Sequence, residues 1–149
     1  MSTLSMIMLT NTVNEEIFRM TQNALNTLHE SIGHSNINVV LVESNKDREW
    51  HYEHVNFYLK PPIDFNYNTY LNIAIENCDS DYIGIVNNDV KFHKDWWYKL
   101  EKAMVKHNLD TASPRSPSVQ RGIVTHAEIK HRYTPDSVVR EGFELIVNF

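Results

Sequence analysis

The chain contains few of the residues that mark several common protein classes. Its 149 residues include one cysteine, Cys78, and four glycines. A single cysteine excludes an internal disulfide bond and fits the reducing cytoplasm, so we expect a cytoplasmic protein. The N-terminus lacks the basic and apolar regions of a signal peptide, and no apolar run approaches the roughly 20 residues that span a bilayer. We therefore expect no transmembrane segment.

Several catalytic and metal-binding motifs are also missing. The sequence has no glycine-rich phosphate loop and no GxSxG motif, so it gives no support to a P-loop enzyme or a serine hydrolase. Eight histidines are present. No cysteine pairs or HExxH pattern accompany them, which argues against a structural zinc site. The net charge of −5 argues against a generic nucleic-acid-binding surface, which is normally basic.

Size and patterning indicate a globular α/β protein. Hydrophobic residues make up 42% of the chain and charged residues 22%, as is usual for soluble domains. A chain of this length fits one domain and buries about two thirds of its unfolded surface. Apolar segments alternate in a strand-helix-strand order, which favours a mostly parallel sheet flanked by helices. The predicted strands are residues 4–9, 37–42, 55–59, 82–86 and 143–149.

Three helices are predicted between these strands. The first begins after Asn14, a good N-cap residue, and ends near Gly33. The second begins after Asn66 or Asn68, and the third covers residues 93–107. The side chains expected to face the core are Tyr70, Leu71, Ala74 and Ile75 in the second helix, and Trp97, Leu100, Ala103 and Met104 in the third. The last predicted strand reaches the final residue, so we expect an incomplete sequence.

Residues 82–89, Tyr-Ile-Gly-Ile-Val-Asn-Asn-Asp, are the most informative stretch. An apolar run suited to a buried strand ends at Asn87, Asn88 and Asp89. Open α/β sheets bind ligands outside the carboxyl ends of their strands, which makes Asp89 a candidate for a metal or ligand contact. The alternative is a simple polar turn, because Asn and Asp satisfy their own backbone in turns.

Four segments resemble, in order, those of the GT-A glycosyltransferases, and in particular the large inverting family 2 that uses nucleotide-diphosphate sugars. They are residues 4–12, 37–45, 65–75 and 87–89, and residues 111–117 resemble the short strand and turn that follow. Asn72 matches a family Asn, and the last segment is similar to the D-x-D motif with Asn87 at the first acid. The sequence departs from the family in lacking a glycine before Asn72 and in having Leu71 where many members have Arg.

The resemblance implies a GT-A, Rossmann-like nucleotide-diphospho-sugar transferase architecture. Residues 1–117 would bind the nucleotide sugar, and residues 118–149 would begin the acceptor side of the same domain. The implied metal contact is Asp89. The implied donor contacts are Thr10, Asn11, Glu43, Asn72, Asn87 and Asn88.

The resemblance also implies a metal-assisted, hexosyltransferase-like reaction that moves a sugar to an acceptor hydroxyl, although a fragment can lack activity. Mg²⁺ or Mn²⁺ would neutralise the departing diphosphate, and one carboxylate predicts a metal site that assembles with the donor. The acceptor could be a glycan, lipid-linked sugar, protein or modified nucleic acid, and no catalytic base is identified. The alternatives are a catalytically degenerate nucleotide-binding or interaction module on this fold, or another nucleotide-binding α/β protein.

Some of these residues also have a structural interpretation. Glu43 could be a solvated carboxylate at a strand end, and Asn72 a helix-face residue bonded to a loop. Trp50 and Tyr52 could be exposed aromatics for a sugar or base, or could pack within their loop.

Overall fold

The structure, a computed structural model, describes residues 2–33, 36–114 and 146–147. The chain divides into two compact units, Met1–Lys94 and Asp95–Phe149. Their three helices and parallel strands confirm the predicted α/β class. The boundary predicted between residues 117 and 118 lies outside the described residues.

The first unit contains a four-stranded parallel sheet of order β3-β2-β1-β4. Thr10, the last residue of β1, is opposite Glu43, the last residue of β2, and Met8 is opposite Val86, the last residue of β4. The carboxyl ends of these three strands therefore lie side by side. The strands are β1 (Leu4–Thr10), β2 (Ile37–Glu43), β3 (Phe57–Leu59) and β4 (Tyr82–Val86).

Two helices of this unit begin at side-chain caps. Asn14 Oδ1 accepts the N–H of Ile17 at 3.0 Å at the start of α1 (Glu15–Ser31). Asn66 Oδ1 accepts the N–H of Thr69 at 3.1 Å at the start of α2 (Tyr67–Ile75), so the cap is Asn66 and not Asn68. Gly33, with φ +55°, follows the end of α1 as predicted, because glycine adopts this left-handed conformation without steric cost.

The two helices lie on opposite faces of the sheet. Strand residues alternate between faces, and Ile7, Val40 and Val42 form one buried cluster with Tyr70, Leu71 and Ala74 of α2. Thr10, on the other face, contacts Thr21 of α1. The buried residues Met6 and Met8 share that second face with Thr10. The sheet is therefore a central layer between α1 and α2.

Exposure on the α2 side departs from the sequence prediction. Ile83 and Ile85 of β4 are 44% and 53% exposed, and Ile75 of α2 is also exposed. β4 is an edge of the described sheet, whereas α2 packs on β1 and β2. The prediction that β4 is a buried strand is therefore wrong for its α2 face, and β3 begins at Phe57, two residues later than predicted.

The second unit contains α3 (Trp96–His107), β5 (Ser113–Pro114) and β6 (Ile146–Val147). α3 begins three residues later than predicted, since Asp95 has a left-handed φ of 61°. Its predicted core residues Trp97, Leu100 and Met104 are buried, as is Trp96, while Ala103 is half-buried. β5 and β6 pair in parallel. Residues 115–117 of the predicted segment 111–117, and residues 143–145, 148 and 149 of the predicted strand 143–149, lie outside the described residues. No helix in the described ranges has the length and apolar character that a membrane crossing requires.

Candidate functional site

The candidate site is built from the loops that follow β1, β2 and β4. The loops after β1 and β2 are joined by Glu43, whose Oε1 accepts the backbone N–H of Thr12 at 3.0 Å and that of Asn45 at 2.8 Å. The backbone N–H of Ser44 also donates to the Thr10 carbonyl at 2.9 Å. These bonds fix the two loops in one arrangement at the carboxyl edge of the sheet.

Glu43 is fully buried, with an exposed fraction of 0%. The alternative that it is a solvated carboxylate is therefore wrong. A buried carboxylate is costly unless it accepts hydrogen bonds, and the two N–H donors meet that requirement at Oε1. Oε2 has no hydrogen-bond partner among the described residues. The structure thus gives Glu43 a role in joining two loops, and its predicted contact with a base or ribose stays a prediction.

Thr12 connects several parts of the site. Besides its N–H, its carbonyl accepts Trp50 Nε1–H at 3.0 Å. Its Oγ1 lies 2.6 Å from the Tyr52 hydroxyl and 3.1 Å from Thr10 Oγ1. Thr12 was not among the site residues predicted from the sequence. The signal was the Thr-x-Thr spacing at the end of β1, because alternate residues share a face.

Thr10 belongs to the same buried hydroxyl cluster. Its Oγ1 lies 3.1 Å from Thr12 Oγ1, 3.2 Å from Thr21 Oγ1 and 3.2 Å from Asn88 Nδ2. A hydroxyl donates one hydrogen bond and accepts two. Three partners therefore use the full capacity of this group, and Thr10 supports the site from inside through its side chain.

Exposure to solvent alternates along the segment Asn87-Asn88-Asp89. Asn87 and Asp89 are exposed, and Asn88 is half-buried. Asn88 Nδ2 donates to Thr10 Oγ1 and, at 3.0 Å, to Thr21 Oγ1. Residues 88 and 89 do form a turn, as the polar-turn alternative proposed. The turn places the Asp89 carboxylate in solvent at the same edge of the sheet as the other two loops.

Asn11 lies at this edge of the sheet, and Asn72 lies on α2. Asn11 directly follows β1 and is exposed. Asn72 lies on the exposed side of α2, where its carbonyl accepts the N–H of Glu76 within the helix. The predicted contact of Asn72 with a donor stays a prediction.

Aromatic residues pack behind the loop after β1. Trp50 is only 6% exposed and stacks on Phe18 with ring centroids 5.0 Å apart. The Arg48 guanidinium lies 4.0 Å from the centre of the Trp50 ring. The ring centroids of Tyr52 and Phe18 are 4.9 Å apart. The loop-packing alternative is thus confirmed for Trp50 and Tyr52, and the exposed-platform alternative is wrong.

Two tyrosine hydroxyls lie near the buried carboxylate. Burial raises the pKa of Tyr52, and the negative charge of Glu43 adds to this, while the hydrogen bond with Thr12 opposes it. Burial followed by the Glu43 charge also raises the pKa of Tyr58. The Tyr58 hydroxyl has no hydrogen-bond partner among the described residues. Both phenols are therefore protonated at neutral pH.

The oxygen atoms of the exposed turn suit a hard cation whose remaining ligands come from a bound substrate. Within residues 2–33 and 36–114, together with β6, no group of three or more His, Cys, Asp or Glu side chains could hold a metal. Asp89 offers a carboxylate and Asn87 an amide oxygen, and oxygen ligands suit Mg²⁺ and Mn²⁺. Mg²⁺ is commonly held by one or two carboxylates plus substrate phosphates.

A parallel sheet with polar loops at the carboxyl ends of three neighbouring strands is typical of α/β proteins that bind nucleotides. A model of glycosyl transferase family 2 matches residues 9–141. The chain belongs to glycosyl transferase family 2, and the resemblance and GT-A architecture expected from the sequence are confirmed. Searches of curated proteins and of solved structures found no match.

Proposed function

We propose that this glycosyltransferase moves a sugar, of the hexose class, from a nucleotide-diphosphate donor to an acceptor hydroxyl in the cytoplasm. Membership of the family supports a sugar donor and an acceptor. The observation that carries the finer proposal is the exposed Asp89 carboxylate, held at the carboxyl edge beside the loops after β1 and β2. Ligands of open α/β sheets bind at this edge.

Asp89 is the residue that would hold Mg²⁺ or Mn²⁺ together with the donor, and Asn87 would add an amide oxygen or contact the sugar. The cation would supply positive charge to the departing diphosphate. The neighbouring loops would receive the nucleoside. Asn11 is exposed there, whereas Glu43 and Thr10 would act indirectly, by holding the backbone of the loops that the nucleoside would contact.

Displacement at the sugar needs a general base that takes the proton of the acceptor hydroxyl. The acceptor classes are those implied by the resemblance: a glycan, a lipid-linked sugar, a protein or a modified nucleic acid. Release of nucleoside diphosphate from the sugar donor can be assayed with each of these acceptors in turn. The acceptor class that supports release is the one that the protein uses.

Calorimetric titration tests the donor site. UDP and GDP are each titrated, with and without Mn²⁺, into the wild type, Asp89→Ala and Asp79→Ala. Asp79 is a matched control because it is also an exposed aspartate but precedes β4 at the amino edge. We expect Mn²⁺-dependent binding of one nucleotide to the wild type and Asp79→Ala, and its loss in Asp89→Ala. Equal binding by all three proteins would contradict the proposed role of Asp89.

Asn87, at the position of the first D-x-D acid, favours one second candidate: a nucleotide-binding or interaction module without catalysis. This module would bind nucleotide with the same dependence on Asp89. It would release no nucleoside diphosphate from UDP- or GDP-sugars with any acceptor class, including in the longer protein if the chain is a piece of one. Release with any acceptor would exclude it.

A further inference from the structure

Helix α1 holds the segment after β4 at two points. Asn88 Nδ2 donates to Thr21 Oγ1 at 3.0 Å, and the backbone N–H of Phe92 donates to Thr27 Oγ1 at 3.1 Å. Asp89 lies between these two contacts in the sequence and is itself exposed. The carboxylate therefore projects from a short segment that is tethered on both sides to one helix.

Both threonine hydroxyls are already oriented by other contacts. Thr21 is fully buried, and its Oγ1 also lies 3.2 Å from Thr10 Oγ1. Thr27 donates its hydroxyl hydrogen to the Ala24 carbonyl at 3.1 Å, which leaves the oxygen to accept from Phe92. Threonine is a weaker helix former than alanine or leucine. Neither threonine improves α1 as a helix, whereas each provides an acceptor for the segment after β4.

We infer that Thr21 and Thr27 are positioning residues for the Asp89 carboxylate. This inference rests on the proposed function, in which Asp89 contacts a cation bound with the donor. A turn held by these contacts presents the carboxylate in one place before binding, so less order has to be created when cation and donor arrive. Partners that orient a metal ligand typically change metal affinity about 10- to 100-fold when they are removed.

The first test measures Mn²⁺ affinity in the presence of saturating UDP or GDP, by electron paramagnetic resonance of free Mn²⁺. Thr21→Val and Thr27→Val each remove a hydroxyl but keep the side-chain shape. We expect each to weaken Mn²⁺ binding about 10-fold without changing the affinity for nucleotide alone. Thr21→Ser keeps the hydroxyl, so we expect it to bind Mn²⁺ with wild-type affinity. Wild-type Mn²⁺ affinity in both valine variants would overturn the inference.

Thr69→Val is the matched control. Thr69 is an exposed threonine of α2 whose hydroxyl donates to Asn66 Oδ1 at 3.1 Å, on the opposite side of the sheet. We expect this variant to bind Mn²⁺ like the wild type. A loss as large as that in Thr21→Val would mean that any lost threonine hydroxyl lowers Mn²⁺ affinity, which would also overturn the inference.

A second measurement needs no nucleotide and so separates this inference from the proposed function. In ¹⁵N NMR of the free protein, we expect Thr21→Val to shift the side-chain amide signals of Asn88 and to lower the backbone order parameter of Asp89. Thr21→Ser and Thr69→Val should leave both unchanged. If even the wild type binds neither nucleotide, the proposed donor site fails and the NMR result alone decides the positioning role. An unchanged order parameter in Thr21→Val would then overturn it.

Discussion

The backbone N–H of Thr12 donates a hydrogen bond of 3.0 Å to the buried carboxylate of Glu43. The two residues are 31 positions apart, and their contact joins the loops that follow neighbouring strands. The same carboxylate oxygen accepts from Asn45. One side chain thereby organises the backbone at the edge where the donor is proposed to bind.

Replacing Glu43 by alanine is expected to lower the free energy of unfolding by about 1–3 kcal/mol, because two backbone N–H groups lose their acceptor. Glu43→Gln keeps an oxygen in place and should cost less. Urea denaturation measures both changes. Glu16→Ala is the control, since Glu16 is an exposed residue of the first turn of α1. Equal stability of Glu43→Ala and Glu16→Ala would show that the contact has no net effect.

Tyr52 and Tyr58 form a matched pair for testing the buried hydroxyls. The Tyr52 hydroxyl bonds Thr12 at 2.6 Å, so Tyr52→Phe should reduce the free energy of unfolding by about 1 kcal/mol. The Tyr58 hydroxyl is buried and has no partner among the described residues. Tyr58→Phe removes that uncompensated group and should be neutral or stabilising. The opposite order of stabilities, measured by urea denaturation, would contradict this assignment.

Asp81 provides a prediction on pH. The backbone N–H and the hydroxyl of Thr3 donate to its carboxylate at 2.8 and 3.0 Å, and these bonds lower the pKa of Asp81 below its ordinary value of 3.8. Stability from a lowered pKa is fully present above pH 3.8 and is lost as the pH falls through the folded-state pKa. Thr3→Val removes one bond, so the pKa should rise towards 3.8. NMR titration of the Asp81 carboxyl measures it, and an unchanged or lower pKa in the variant would contradict the assignment.

Gly84 faces Met6 on the neighbouring strand. A Cβ at position 84 would meet Sδ at the flexible end of the Met6 side chain, so Gly84→Ala requires Met6 to shift and should lower the free energy of unfolding by about 1 kcal/mol, the low end of the cost of overpacking. In a Met6→Ala background the clash is absent, and the added methyl should cost less. A double-mutant cycle measures the coupling between the two positions. Additive effects would show that Met6 does not restrict position 84.

Local rules predicted the starts of α1 and α2, whereas contacts between distant segments could not be read from the sequence. Asn14 and Asn66 were identified as possible caps because a cap acts on residues three positions away. The burial of Glu43 depends on Thr12, which lies in another loop. The exposure of Ile83 and Ile85 depends on the place of β4 in the strand order, and an apolar run does not specify that place.

The candidate site was predicted only in part for the same reason. The apolar run that ends at Asn87 and the resemblance to glycosyl transferase family 2 both pointed to the turn that carries Asp89. Neither indicated that Asn88 would face Thr21 in α1, since that contact joins residues 67 positions apart. Thr12 was missed because its three polar groups bond to partners from separate parts of the chain.

In the proposed function, the Asp89 carboxylate holds a cation together with a nucleotide-diphosphate donor. The most direct measurement is calorimetric titration of UDP and GDP into wild type and Asp89→Asn at several Mn²⁺ concentrations, since asparagine keeps the shape and removes the charge. We expect nucleotide affinity to rise with Mn²⁺ in the wild type and to rise much less in Asp89→Asn. The same Mn²⁺ dependence in both proteins, or nucleotide binding that ignores Mn²⁺, would contradict it.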